Sequence, residues 1–256
     1  QEKISRFKEL VHLGFQSVSQ TILQNNLAIL IDQKYGKKIL NDSSDFNYTL
    51  GVPVEDEGVF GLDWLCEGSL YHHLLECPSK WFVKVRFRFH TDMNPEDKRF
   101  QLTQLRKLSV VCSELKRKLM VDLIIQKDLA QEDASIAKEE ELAEAIKEIY
   151  KKDIYPQWWG INALVIEEKW AKINELMNEN YSDVGLIIKY NNSQIEKLPA
   201  WLSTVRSKTK NIGLALGENI FWEQWEKYIN GNAKDSQVIS DVEEGFQKFL
   251  DLWSDL

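Results

Sequence analysis

Lys84, Arg86, Arg88 and His90 occupy every second position of the segment WFVKVRFRFH. On a β-strand, alternate side chains point the same way, so these four share one face and Val83, Val85, Phe87 and Phe89 share the other. A neutral lysine amine adds to carbonyl carbons, arginines hold anions, and a histidine moves protons near neutral pH. Cations taken out of water demand partners. Asp32, Asp122 and Glu55 are the natural ones, because each lies in or near the end of a neighbouring apolar run. Three readings fit. Lys84 and Asp122 form an ion pair between adjacent strands; or Lys84 is a nucleophilic amine, favoured in its neutral form by the cations of Arg86 and Arg88; or the cations bind an anionic ligand without covalent chemistry. Lys189 lies one residue before the end of the run VGLIIKY and reads as a surface-loop lysine, the alternative being a place at the mouth of the site.

The elements that must carry these residues are seven short apolar runs: 27–32, 48–54, 81–89, 119–125, 158–164, 184–190 and 212–217. Helix-length gaps separate them, except after Asp32, where only a short helix fits. Parallel strands need such crossovers. Ile4, Phe7, Leu10, Val11, Phe15, Val18 and Ile22 recur at helical spacing, as do Val238, Val242, Phe246, Phe249, Leu250 and Trp253. The charged stretch 132–153 carries an apolar stripe of Leu142, Ile146, Ile149 and Tyr150.

Seven strand–helix units predict a single-domain α/β fold over residues 1–256, a (β/α)8 TIM barrel with its first strand absent from the sequence. The helix near 3–22 precedes the first strand, so the missing one is expected upstream of Gln1. A doubly wound open sheet would be favoured by a Gly-rich turn after the first strand, and Asp32 is followed instead by QKYGKK. In the barrel, the polar face of segment 81–90 lines the lumen. Gly160, Gly213, Ala215 and Gly217 make the opposite wall small, with room either for a ligand or for Arg86, and Arg86 is expected to fill the volume above Gly160.

Composition narrows the function. With 32 Lys and Arg against 40 Asp and Glu, the net charge of −8 disfavours non-specific nucleic-acid binding. No apolar run reaches the ~20 residues of a membrane span. Cys66, Cys77 and Cys112 are too scattered for a disulfide framework, which fits reduced thiols in a cytoplasmic protein; Cys66 and Cys112 are expected in helices. The four His lack metal-ligand spacing, and no metal or cofactor is expected. The nine Trp read as helix–barrel packing. The partners it admits are a small carbonyl or sugar-derived ligand, a second copy of the chain, or a fused upstream domain.

The segments LAILIDQKYG, YTLGVPVE, WFVKVRFRF and IGLALGENIFWEQW, in that order and spacing, resemble the tagatose-bisphosphate-aldolase-like barrel family. The similarity runs from about Phe7 to Trp253 and is nearest to the barrel domain fused to 5-dehydro-2-deoxygluconokinase in bacterial inositol catabolism. It implies class I aldol cleavage of a ketose phosphate, with a Schiff-base lysine on the sixth strand of the family and a phosphate-holding Gly-Arg turn on the eighth. Asp32, Tyr35 and Gly36 match the family's second strand, and Lys84 and Arg88 match its fourth. Asp122 stands at a glutamate position on the fifth. On the sixth strand the chain reads Trp159-Gly160-Ile161-Asn162, so glycine replaces the lysine and an amide the acid. On the eighth, Gly217-Glu218 replaces Gly-Arg. Resemblance and strand parity together make Lys84, Asp32 and Asp122 the candidate catalytic groups, and Arg86, Arg88, Glu55, His90 and Gly217 the candidate substrate contacts. The resemblance implies an aldolase-like lyase with altered or lost activity, or a catalytically degenerate barrel serving as a binding or assembly module.

Overall fold

The computed structural model describes residues 1–20, 27–43, 46–56, 62–66, 68–125, 139–162, 167–178, 184–189, 199, 202–203, 206 and 212–254. The chain divides into two compact units, one formed by Gln1–Val52 with Leu216–Leu256 and the other by Pro53–Ala215.

In the first unit, strand β1 (Ala28–Leu30) pairs in parallel with β2 (Thr49–Pro53), Ile29 opposite Leu50. The short helix between them, α2 (Lys37–Asn41), is the one that the narrow gap after Asp32 allows. Gly36 leads into it by close approach: a Cβ there would stand 2.2 Å from Ile31 Cγ2 and 2.7 Å from the Asp32 carbonyl oxygen. Helix α1 (Glu2–Ser19) buries Phe7, Leu10, Phe15 and Val18, the apolar positions of its 3.6-residue period. It packs against the two C-terminal helices, α7 (Glu218–Ile229) and α8 (Asp235–Ser254). Phe7 meets Trp225 edge-on at 5.1 Å between centroids, and Phe15 meets Phe246 at 5.4 Å.

The second unit holds β3 (Phe82–Phe89), β4 (Leu119–Ile125), β5 (Trp158–Asn162), β6 (Gly185–Lys189) and β7 (Ile212–Ala215). Each pairs in parallel with the next in chain order. Helices α3 (Leu70–Glu76), α4 (Pro95–Glu114), α5 (Glu139–Tyr150) and α6 (Glu167–Asn178) lie between the strands in sequence. Helix α4 starts where Asn94 caps it, its side-chain oxygen accepting from the Glu96 N–H at 2.8 Å, with Pro95 in the first turn. Val83, Val85, Phe87 and Phe89 join Val121, Leu123, Trp159, Ile161, Leu186 and Ile188 in one core with Leu105 and Leu108 of α4 and Ile146 and Ile149 of α5. The strands therefore bury their odd face of β3 against helices, and the face bearing Lys84, Arg86 and Arg88 turns the other way.

The elements follow the expected order, with shorter strand ends. Residues 163–164 and 190 of two expected strands, Ile22 of the first helix and the first part of the charged stretch, 132–138, lie outside the described residues. Two expectations are corrected. The seventh run stops at Ala215, because Gly217 already caps α7. Cys66 sits in a bend rather than a helix, whereas Cys112 is buried in α4 as expected.

Candidate functional site

Three rows of side chains cross the polar face of the second unit. Strand register aligns Lys84 with Met120, then Arg86 with Asp122 and Asp122 with Gly160. Nearer the C-terminal ends, Arg88 pairs with Ile124, and Lys189 lies between Asn162 and Ala215. Charge is thus concentrated in the middle and upper rows.

Glu55 reaches this face through backbone geometry. The Val54 N–H donates to the Lys84 carbonyl at 3.2 Å, and Glu55 forms an isolated antiparallel bridge with Trp64. The carboxylate is then turned inward, 2 % exposed, with Oε2 accepting from the Val54 N–H at 3.2 Å. Its Oε1 takes the Lys84 ammonium. The ion pair expected between Lys84 and Asp122 is therefore secondary: Lys84 Nζ lies 3.6 Å from Asp122 Oδ2, and Glu55 is its principal partner.

Asp122 is the hub. Lys189 Nζ stands 2.5 Å from its Oδ1, and Arg86 Nε 3.7 Å from its Oδ2. Burial acts to raise the Asp122 carboxyl, but the ammonium groups of Lys189 and Lys84 outweigh it and hold the group below the usual carboxylate range. Lys84 and Asp122 are almost wholly enclosed, while the Lys189 side chain keeps 20 % of its surface. Reading Lys189 as a surface-loop residue is therefore wrong. The signal was present in its parity: Gly185, Ile187 and Lys189 alternate, and the register places them level with the even residues of β5.

Arg88 is buried on the same face, and His90 follows at the end of β3. His90 Nδ1 accepts from the Asp92 N–H at 3.1 Å, and Nε2 lies 3.7 Å from Glu141 Oε1 on α5. Both ring nitrogens thus face groups of this chain. Glu141 is a residue that sequence reasoning did not place, because its stretch reads as a solvated charged helix.

A Cβ at Gly160 would lie 2.9 Å from Met120 Cε and 3.2 and 3.3 Å from Asp122 Cα and Oδ1, so Met120 and Asp122 are its immediate neighbours, and Arg86 stands one strand further on with its Nε 3.7 Å from Asp122 Oδ2. Asp32 and Gly217 belong to the first unit. There the Asp32 carboxylate pairs with Lys8 and accepts from the Tyr35 N–H at 2.8 Å. Gly217 caps α7 with φ −143°, and a Cβ on it would meet nothing within 4 Å.

Among the described residues, no helix is long and apolar enough to cross a membrane. No curated protein matches the chain. Solved structures share its fold. An archaeal fructose 1,6-bisphosphate aldolase aligns over 93 % of this chain and 83 % of its own, with 10 % identity and a TM-score of 0.57. An archaeal fructose-1,6-bisphosphate aldolase with its catalytic Lys covalently bound to the carbinolamine intermediate of the substrate aligns over 85 % and 76 %, with 9 % identity and a TM-score of 0.53. The fructose-bisphosphate aldolase of Slackia heliotrinireducens aligns over 91 % and 76 %, with 10 % identity and a TM-score of 0.59. At these identities the likeness is one of fold alone: seven parallel strands with intervening helices in an α/β TIM-barrel fold. Residues 1–256 match the family described as uncharacterized protein conserved in bacteria (DUF2090), and the chain belongs to that family.

Proposed function

We propose that this chain is an aldolase-like carbon–carbon lyase that acts on a small carbonyl substrate through a lysine amine of the buried charge cluster. One observation carries the reading: two lysine ammonium groups bear on a single buried carboxylate, Asp122, on the polar face of a sheet in an aldolase-like fold. The chemistry suits such a set. A neutral amine adds to the carbonyl carbon, and loss of water leaves an iminium. A base removes the proton of the β-hydroxyl, the carbon–carbon bond breaks, and its electron pair enters the iminium to give an enamine. Protonation at carbon and addition of water then release the second product and the amine. Asp122 is the proposed proton carrier, and Arg86 and Arg88 are the proposed contacts for an anionic substituent. Glu55 holds Lys84, and His90 lies at the rim. Asp32, already engaged by Lys8, takes no part in this proposal. The resemblance to the barrel domain fused to 5-dehydro-2-deoxygluconokinase supports carbohydrate catabolism, within inositol breakdown, as the setting.

The test is reductive trapping. The purified chain, incubated with dihydroxyacetone, pyruvate or glycolaldehyde and then borohydride, should gain the mass of one reduced adduct with at least one of them. An unchanged intact mass with all three would count against amine chemistry. A second reading, a degenerate barrel kept for binding or assembly, is favoured by Met120 and Asp122 filling the space beside Gly160. It expects a stable oligomer or partner and no turnover. A monomer that cleaves a ketose would dispose of it.

A further inference from the structure

We infer that Lys189, not Lys84, is the amine that bonds a carbonyl substrate, and that Lys84 with Glu55 is the fixed electrostatic support beneath it. This rests on the amine-chemistry reading above and names the nucleophile within it.

The two lysines differ in what surrounds them. Lys84 is the third residue of β3, 7 % exposed at its side chain, with Glu55 directly on its ammonium and Asp122 at 3.6 Å. Near-complete enclosure leaves it no route to a substrate carbon, and the two carboxylates hold its amine in place beneath the rim. Lys189 is the last residue of β6, at the C-terminal ends of the strands, where barrel enzymes carry out their chemistry. Its side chain is 20 % exposed, and among the described residues it meets one carboxylate oxygen, Asp122 Oδ1 at 2.5 Å. Its strand neighbours in register are Asn162 and Ala215, the second with a one-carbon side chain.

The arrangement also supplies the proton path. Lys189 gives one ammonium proton to water at its exposed side, and the neutral Nζ adds to the carbonyl carbon. The oxygen takes one proton from the attacking nitrogen and one back from water, and leaves as water, forming the iminium. Asp122, still paired with Lys84, lies beside the same nitrogen and is placed to move the proton of the carbinolamine hydroxyl. Lys84 keeps Asp122 charged and in position, which makes it a positioning residue.

Site mapping on the wild-type chain tests this without relying on any variant to fold. The chain is incubated with dihydroxyacetone and cyanoborohydride, which adds hydride to the iminium, and its peptides are then mapped. The expected result is a reduced three-carbon adduct on Lys189 at higher occupancy than on any surface lysine, such as Lys151, whose side chain is 64 % exposed. Lys189→Arg, which keeps a cation beside Asp122, should lose the adduct while unfolding at the wild-type midpoint. An adduct on Lys84 with none on Lys189 overturns the assignment and leaves the amine chemistry standing. Adducts on neither lysine overturn both.

Discussion

The ion pair of Lys189 with Asp122 spans a strand: Asp122 lies on β4 and Lys189 on β6, and β5 runs between them. Their side chains meet above Gly160, which is the register partner of Asp122 and has no side chain to separate them. The glycine and the ion pair are two aspects of one packing solution.

Substituting Gly160 should therefore disturb the cluster. In Gly160→Ala the new Cβ would press on Met120 Cε, which can swing aside, and on Asp122 Cα, which is backbone and cannot. Overpacking of this kind costs about 1–3 kcal/mol. A urea midpoint lowered accordingly is the expected outcome, with a larger loss for Gly160→Lys and no gain of ketose cleavage. A Gly160→Ala variant as stable as the wild type would mean that the space is open.

Lys84 and Glu55 should behave as a coupled pair. Lys84→Met leaves two buried carboxylates, Glu55 and Asp122, without a shared cation. Breaking a buried pair from one side costs about 3–5 kcal/mol. Glu55→Gln alone should cost less, since Lys84 retains Asp122. The double variant should be more stable than the sum of the single losses predicts, and a double-mutant cycle on urea unfolding measures that coupling. Strict additivity would show that the two side chains do not interact in solution.

The alternation in WFVKVRFRFH was enough to assign both faces of β3, because apolar and charged residues alternate strictly there. The site needed long-range information. Glu55 follows β2 in sequence, and only the Val54–Lys84 hydrogen bond and the bridge to Trp64 turn it towards the lysine. Asp122 stands out as an acid in the otherwise apolar LMVDLII, yet its closest cation lies 67 residues on, at Lys189. A terminal strand lysine reads as solvated until register sets its direction. The space beside Gly160 was equally hidden, since Met120 and Arg86 lie on adjacent strands and only coordinates decide which fills it.

Asp122 should also confer acid sensitivity. Its folded-state carboxyl lies below the usual range, so its stabilisation is complete above the unfolded value, near 3.8, and is lost as pH falls through the folded value. Asp122→Asn should be less stable than the wild type at neutral pH. The gap should narrow as pH drops below the ordinary carboxylate range, in unfolding midpoints measured from pH 7 to pH 2. A constant gap throughout would place the carboxylate outside the cluster.

His12 should add a separate slope at milder pH. It is buried in α1, with Nε2 2.5 Å from the Tyr48 hydroxyl and its ring 4.9 Å from that of Phe46. Burial pushes the imidazole down to about 4, against a weaker upward pull from Asp42, and pushes the Tyr48 phenol up to about 12. In the unfolded chain the imidazole titrates near 6.5. Between those two values the unfolded state binds the extra proton, so stability falls as pH decreases through the window and levels off below about 4. The loss by pH 5 is about 2 kcal/mol, from the free energy of one to two pH units. His12→Gln should remove this slope, read as the difference between urea midpoints at pH 7 and pH 5. Tyr48→Phe should keep it, because burial rather than the hydroxyl is the main cause. A slope that disappears with Tyr48→Phe would reverse that order of causes.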